Sequence, residues 1–369
     1  MITRSILFFS CLYTASLFAQ SNGGFEAIPY MEQETGPGMI LVEGGVFDLS
    51  GSGTASDTVK PFYISAKEES NAQYCEYLRY IHGCYSEATY RNALPDTTVW
   101  LKENLTDSLK HYLLNNYLRA EAFKNYPVVG VSPEQIINYA WWKTDRMNEM
   151  ILIREGILDF QYYPIDSNNV FSTERYLGGN YKGLNVKAII PDMNGGERHV
   201  RMEDGIFLPP LRLPAENEWK IAAAAIGDKN NTYVTTPKEL GNWHHFDKTN
   251  YFWYLYPKKK TKKKKAPEQP GVISYLWEVD RGTPNHYLIY NLSGNVSEWV
   301  ISKQNNYVIA GGSWEKPGFD LSAVYNADSS TYTTVSFPAL SEKKPSAAVG
   351  FRLAMDHMGN VDPKRKRVE

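Results

Sequence analysis

One short segment reads as a tight loop, the nine residues Asn291-Leu-Ser-Gly-Asn-Val-Ser-Glu-Trp299. It contains two asparagines, a glycine and a glutamate. Four of its residues offer oxygen atoms suited to a hard cation: the side chains of Asn291 and Glu298 and the carbonyls of Gly294 and Val296. Calcium takes six to eight oxygen ligands at flexible spacing, so the pattern favours a calcium site. The alternative is that Asn291 and Asn295 satisfy the backbone of a turn while Glu298 pairs with a cation.

Other short motifs flank this loop in a fixed order. They are Met39 to Phe47, Phe62-Tyr-Ile64, Asn71-Ala-Gln-Tyr74, Pro127-Val-Val-Gly-Val-Ser132, Arg212-Leu-Pro214 with Glu218-Trp219, Gly311-Gly-Ser-Trp314 and Gly350-Phe-Arg352. Together with the loop, they resemble the formylglycine-generating enzyme and sulfatase-modifying factor family over about residues 39 to 356. The resemblance implies an α/β (α+β), loop-rich fold related to C-type lectins. It also assigns structural calcium to four positions: Asn291, Gly294, Val296 and Glu298.

Local patterns predict the main regular elements. The segment from Met39 to Phe47 reads as strand, Gly-Gly turn and strand, and residues 62–64 read as another short strand. Residues 69–81 have helical spacing, with Tyr74, Leu78 and Ile81 on one face. Ser132-Pro-Glu-Gln135 is a strong helix start that should lead to about residue 155. A further helix should end near Gly227, although Ala215 stands where the family usually has a capping threonine.

The chemistry implied by the family does not extend to this chain. Formylglycine formation needs two thiols, and the resemblance places them at Lys316 and Leu321. Neither side chain binds copper(I), a soft ion that selects sulfur. We therefore expect a protein without this enzymatic activity, with no catalytic residues. A third hypothesis, another catalytic centre at His244, His245 and Asp247, has weak support, because neighbouring residues of a strand point to opposite faces.

The first residues predict export. Arg4 precedes a mostly apolar segment, residues 5–18, that is too short to span a bilayer, and Ala19 suits signal cleavage. The alternatives are a buried N-terminal element, or lipidation at Cys11. We expect residues 1–19 to be a signal peptide and residues 20–369 to be one domain, with insertions at about 156–207 and 252–285. The remaining cysteines, Cys75 and Cys84, form either a disulfide or two separate buried thiols.

Composition narrows the class of partners. With 39 basic and 41 acidic side chains, the formal net charge is −2, so nucleic-acid binding is not expected. Seven lysines at residues 258–265 read as an exposed loop, or as a contact for anionic lipid or an acidic protein. The final basic run, Lys364-Arg-Lys-Arg367, reads as a solvated terminus.

The segment from Trp141 to Ile157 is similar to family members of the gliding-motility and type IX secretion machinery, the GldJ and GldK/PorK group. This resemblance implies a scaffold in the periplasm or at the outer membrane, with envelope or secretion-complex proteins as partners and peripheral attachment to the membrane. The tyrosine-rich insertion at 156–207 is the expected contact surface. The alternative hypothesis is a carbohydrate- or peptide-binding module that uses a lectin-like groove.

Overall fold

The computed structural model describes residues 33, 35–47, 57–161, 169–183, 186–192, 194–224, 276–281, 284–285, 287–292, 294–315 and 344–358. Within these residues, short strands and helices alternate with long irregular segments. This mixture confirms the predicted α+β, loop-rich fold class. In the same part of the chain, every helix is too short or too polar to cross a bilayer.

The strands form two larger sheets and two isolated pairs. In chain order they are β1 Met39–Val42, β2 Gly45–Phe47, β3 Asp57–Val59, β4 Phe62–Ser65, β5 Ile190–Pro191, β6 Glu197–Arg198, β7 Leu211–Arg212, β8 Ser297–Ile301, β9 Tyr307–Ala310, β10 Val349–Gly350 and β11 Ala354–Asp356. The main sheet has the order β1-β4-β11-β7 and is antiparallel throughout. The second sheet has the order β10-β8-β9, with β10 parallel to β8. The remaining pairs are β2-β3 and β5-β6.

The helices surround the main sheet. They are α1 Asn71–Cys84, α2 Glu87–Ala93, α3 Asp107–Asn116, α4 Pro133–Arg154, α5 Thr173–Leu177 and α6 Glu216–Ala224. Side chains alternate between the two faces of a strand, and β4 shows this clearly. Tyr63 packs in the cluster that holds α1 and α4, whereas Phe62 and Ile64 pack in the cluster that holds Trp219 of α6. Both faces of the main sheet are therefore buried.

The two long helices begin as the sequence predicts. Ser70 caps α1 and Ser132 caps α4, and in both helices the third residue, Gln73 or Gln135, completes a capping box. Removal of such a cap typically costs about 1 kcal/mol. The helices meet through stacked tyrosine rings whose centroids lie 5.3 Å apart, those of Tyr74 and Tyr139. Both rings are buried, so these tyrosines are part of the core.

The strands β1 and β2 flank the Gly-Gly turn as expected, and β1 pairs with β4 while β2 pairs with β3. Another local prediction is only partly right. The turn-rich segment that follows Asn291 ends earlier than expected, since residues 297–301 form β8. The helix near Ala215 forms without its threonine cap. Instead, the backbone N–H of Ala215 donates to Glu218 Oε2 at 2.7 Å, which is half of a capping box.

The disulfide alternative is wrong. Both cysteines lie in α1, which continues through Cys84. At 1.5 Å per residue, Cys75 and Cys84 lie about 13 Å apart along one helix, beyond the reach of a disulfide. The Cys75 Sγ instead contacts the carbonyl of Leu118 at 3.3 Å.

Two tyrosines of the insertion at 156–207 pack inward. Tyr176 is 6% exposed and lies in a small core with Phe171 and Phe207, while Tyr181 contacts the ring of Phe171. These tyrosines therefore do not supply the contact surface expected of them. Several other predictions fall outside the described residues, namely the signal peptide with Cys11, the histidines at 244 and 245, the lysine run at 258–265, and Lys316 and Leu321.

Candidate functional site

The loop that precedes β8 is shaped by two asparagines in left-handed backbone conformations. Asn291 and Asn295 both have φ of 61°. Asparagine tolerates this region better than most residues because its short polar side chain bonds locally. The backbone N–H of Gly294 donates to the carbonyl of Asn291 at 3.1 Å and closes the turn. As a result, both amide side chains point into the protein, where they meet buried acids.

The centre of the site is a buried ion pair between Glu298 and Arg352. Arg352 donates from Nε to Glu298 Oε2 and from Nη2 to Oε1, both at 2.6 Å. The parallel pairing of β10 with β8 sets Gly350 opposite Glu298 and so brings Arg352 within reach. The same guanidinium donates to the carbonyls of Ser65 and Tyr290. It therefore ties β8 to the end of β4 and to the start of the asparagine loop.

A second buried acid, Glu68, faces the same cluster. Its two carboxylate oxygens accept from the side-chain amides of Asn291 and Asn295, each at 3.0 Å. Burial raises the pKa of Glu68 to about 7, while the Arg352 charge lowers it and the like charge of Glu298 raises it. Glu68 is thus the titratable member of the cluster near neutral pH.

Two tryptophans complete the polar contacts. Trp219 Nε1 donates to Glu298 Oε2 at 2.7 Å. Trp277 donates from its backbone to Asn295 Oδ1 at 3.0 Å and from its indole to Asn291 Oδ1 at 3.2 Å. These bonds matter because a buried polar group without a partner costs about 1–3 kcal/mol. The cluster is therefore a satisfied hydrogen-bond network inside the fold.

The structure places three of the predicted calcium ligands, Asn291, Gly294 and Val296, in the loop and the fourth, Glu298, in β8. The side-chain oxygens of Asn291 and Glu298 already have donors. Both oxygens of Glu298 accept from Arg352, and Asn291 Oδ1 accepts from an indole. A calcium ion there would have to displace a guanidinium or rotate an amide away from its partner. In this arrangement the donor set does not fit calcium. The arrangement is that of the alternative, in which Glu298 pairs with a cation, and calcium binding stays a prediction from the sequence.

The Gly311-Gly-Ser-Trp314 motif lies beside this cluster. Gly311 has φ of 81°, and a Cβ there would come within 2.9 Å of the Leu292 carbonyl and 3.1 Å of the Trp219 ring. Only glycine fits this turn without strain. Trp314 stacks on Trp100 and donates from its indole to the carbonyl of Ala347. The motif is therefore fixed in place just before the positions that the family resemblance assigns to thiols.

A carboxyl pair adjoins this motif. The buried Glu103 forms a hydrogen bond with Glu315, and burial, this bond and the like charge together raise the pKa of Glu103 to about 8. The backbone N–H of Ala347 and the charge of Lys110 act in the opposite direction. Glu103 therefore holds its proton more tightly than an ordinary glutamate. The sequence analysis did not anticipate this pair.

A surface groove lies elsewhere, between α1, α2 and α4. One cavity of about 330 Å³ is lined by Tyr85, Trp141 and Asp145 among others. A second cavity, of about 410 Å³, follows the start of α4, and both are lined by Asn92 and Asn138. We call the two together the α4 groove. No sequence motif signalled it.

The sequence missed two central residues of the polar cluster. Glu68 is not part of any quoted motif, and Arg352 was noted only as the end of Gly350-Phe-Arg352. The available signal for Glu68 was an acidic pair, Glu68 and Glu69, directly after an apolar strand. Both are buried, and Glu69 accepts from Tyr139 and Lys143 on α4.

Comparison with known proteins gives one family and several structural neighbours. The family described as Sulfatase-modifying factor enzyme 1-like domain matches residues 24–357. The crystal structure of CarF is 18% identical and covers 86% of this chain and 97% of that chain, with a TM-score of 0.35. Treponema denticola variable protein 1 is 16% identical, with coverage of 86% and 94% and a TM-score of 0.36. PvdO from Pseudomonas aeruginosa is 14% identical, with coverage of 86% and 94% and a TM-score of 0.38.

Proposed function

Since the chain belongs to the sulfatase-modifying factor enzyme 1-like family, we propose that it uses this fold as a non-catalytic interaction scaffold. The observation that carries the proposal is the residue chemistry at the two positions that the family resemblance assigns to thiols. Lys316 and Leu321 stand there, and neither forms a mixed disulfide or binds copper(I).

The polar cluster supports the same proposal. Glu298 and Arg352 are 1% and 0% exposed, and their charges are directed at each other. Such a pair cannot reach a substrate, because solvent and ligands have no access to it. Its contacts join β8, the end of β4 and the asparagine loop, so the pair has a structural role.

The proposed setting is the bacterial cell envelope, within gliding-motility or type IX secretion machinery. The support is the resemblance of the segment from Trp141 to Ile157 to proteins of that machinery, together with the signal-like residues 1–19. The partners would be other envelope or secretion-complex proteins. The test is affinity purification of a tagged chain from native envelope, with a tagged exported protein of similar size as the control. Recovery of no envelope or secretion protein above that control contradicts the scaffold role.

A separate assay tests the absence of catalysis. The purified protein, with and without copper, is incubated with a peptide that carries a sulfatase-type cysteine motif, and the aldehyde is measured by mass spectrometry. We expect no formylglycine above the no-protein control. Product that depends on the protein would establish an enzyme. The alternative hypothesis, a carbohydrate- or peptide-binding module, requires a ligand site, and the α4 groove offers one.

A further inference from the structure

The α4 groove presents an aromatic surface that the fold does not use. Trp141 is 61% exposed and Tyr85 is 41% exposed, and both line the cavity of about 330 Å³. The next residue along α4, Trp142, is only 8% exposed and packs against tyrosines of α1. Both tryptophans line this cavity, but successive helical residues point about 100° apart, so Trp142 is packed in the core while Trp141 is open to solvent. An exposed indole of this kind is typical of a binding site.

Polar side chains accompany the indole along the groove. Asn92 and Asn138 are exposed and line both cavities, and Asp145 lines the aromatic one. The groove follows α4 from Glu134 to Asp145, which at 1.5 Å per residue is about 16 Å. A flat apolar face bordered by a few fixed polar groups is the usual design of a small-ligand site.

The charges of the groove exclude anionic ligands. Its lining includes three carboxylates, those of Asp96, Glu134 and Asp145. The one cation, Arg146, is buried and pairs with Glu149 at 2.6 Å. The groove therefore offers mainly hydrogen-bond acceptors and neutral amides. A ligand with many hydroxyl donors and no negative charge matches this lining.

The backbone of the groove argues against a peptide. Strand addition needs an open sheet edge, and helix binding needs an apolar groove. Here the walls come from α1, α2 and α4, whose backbone groups are bonded within the helices. The buried part of the lining is largely aromatic, and exposed polar groups, the amides of Asn92 and Asn138 among them, border it. An extended peptide also offers only one N–H donor per residue. A sugar ring offers several hydroxyls around an apolar face, which matches both parts of the lining.

We propose that the α4 groove binds a neutral oligosaccharide, with one sugar ring on the face of Trp141 and hydroxyl groups donating to Asn138, Asn92 and Asp145. The site is independent of the scaffold role proposed above, since no residue of the polar cluster lines it. Binding of envelope partners does not require a ligand in this groove.

The test measures binding of the purified protein to neutral tetrasaccharides of glucose, N-acetylglucosamine, mannose and xylose. Calorimetry gives the affinity, and the fluorescence of the exposed Trp141 gives a second readout. We expect at least one tetrasaccharide to bind with a dissociation constant of about 1 mM or lower. Trp141→Ala should weaken binding at least tenfold and Asn138→Ala several-fold. The matched control, Leu101→Ala, truncates another exposed side chain outside the groove and should change affinity less than twofold.

Three results would overturn the proposal. One is the absence of binding by every tetrasaccharide at about 10 mM. Another is unchanged affinity in both Trp141→Ala and Asn138→Ala, with native melting curves for each. The third is binding of a lysine-rich peptide that depends on Trp141 while no glycan binds, which would assign the groove to a basic peptide. Copurification with envelope proteins is measured in a separate experiment. Failure of the scaffold proposal can therefore be distinguished from failure of the glycan-binding proposal.

Discussion

Replacement of Glu298 by glutamine should destabilise the fold strongly, because it leaves a buried guanidinium without its counter-charge. Glutamine keeps the size of the side chain and one oxygen for Trp219, but it carries no charge for Arg352. The guanidinium, 0% exposed, then retains two backbone carbonyls at 2.9 and 2.8 Å. Removal of one partner of a buried pair typically costs about 3–5 kcal/mol.

Because of Glu68, we expect the loss of stability in Glu298→Gln to lie at the lower end of this range. The pKa of Glu68, raised to about 7, is held up in part by the charge of Glu298. Without that charge the pKa of Glu68 falls, so at pH 7.5 Glu68 is ionised and partly balances Arg352. We therefore expect a loss of about 3 kcal/mol. At roughly 2 °C per kcal/mol for a chain of this length, the melting temperature falls by about 6 °C.

The assay is urea unfolding of four proteins at pH 7.5: wild type, Glu298→Gln, Arg352→Met and the double variant. Residues that pair directly should give a double variant less destabilised than the sum of the single variants, by about 2 kcal/mol. The matched control is Glu87→Gln, which breaks an exposed pair with Arg91 on α2 whose side chains are 57% and 73% exposed. That change should cost no more than about 0.5 kcal/mol.

Two results would refute this reasoning. The first is additivity, with a coupling energy below about 0.5 kcal/mol. The second is a cost for Glu298→Gln as small as that of the exposed control. Either would mean that the pair at 2.6 Å does not hold the three segments together.

Three further predictions concern protonation, calcium and the basic loop. The raised pKa of Glu103, about 8 against an ordinary 4.5, means that its contribution to stability is complete below pH 4.5 and is lost as pH rises through 8. Glu103→Gln should therefore lose less stability than wild type between pH 5 and pH 9 in urea unfolding, and parallel profiles would contradict this. For wild type we expect the same melting temperature, within about 1 °C, in calcium and in chelator, because both carboxylate oxygens of Glu298 already accept hydrogen bonds from Arg352. A loss in chelator that Glu298→Gln does not share would establish the calcium site predicted from the sequence. Deletion of residues 258–265 should leave the melting temperature within a few degrees, since adjacent like charges gain nothing from burial, and a large loss would show that the segment packs against an acidic surface.

The sequence predicts those parts of the fold that depend on neighbouring residues. The start of α4 follows from Ser132 and Gln135, since a capping box is complete within four residues. The helix expected at 69–81 begins slightly later because Ser70 serves as its cap. The order of the family motifs indicates the overall fold for the same reason, since each motif covers only a few neighbouring residues.

The contacts of the candidate site were beyond such reasoning because their partners are distant in sequence. Glu298 and Arg352 are 54 positions apart, and Glu68 and Asn295 are 227 positions apart. The loop at Asn291 was compatible with both a calcium site and an ion pair, and only the packing of β10 beside β8 brings the arginine there. The α4 groove likewise depends on how α1, α2 and α4 pack against one another. Its exposed amides, Asn92 and Asn138, read from the sequence as ordinary surface residues.

The central position of β11 has a consequence for how the chain folds. Ala354 pairs with Ile64 on one side and with Arg212 on the other, so the main sheet is joined by a strand from the far end of the chain. Contacts of such long sequence separation add little to the equilibrium cost of loop closure but slow the folding rate. Until residues 354–356 are available, β4 and β7 each keep an open edge that can pair with another chain. We therefore expect the chain to be prone to aggregation in the interval between synthesis of β7 and docking of β11.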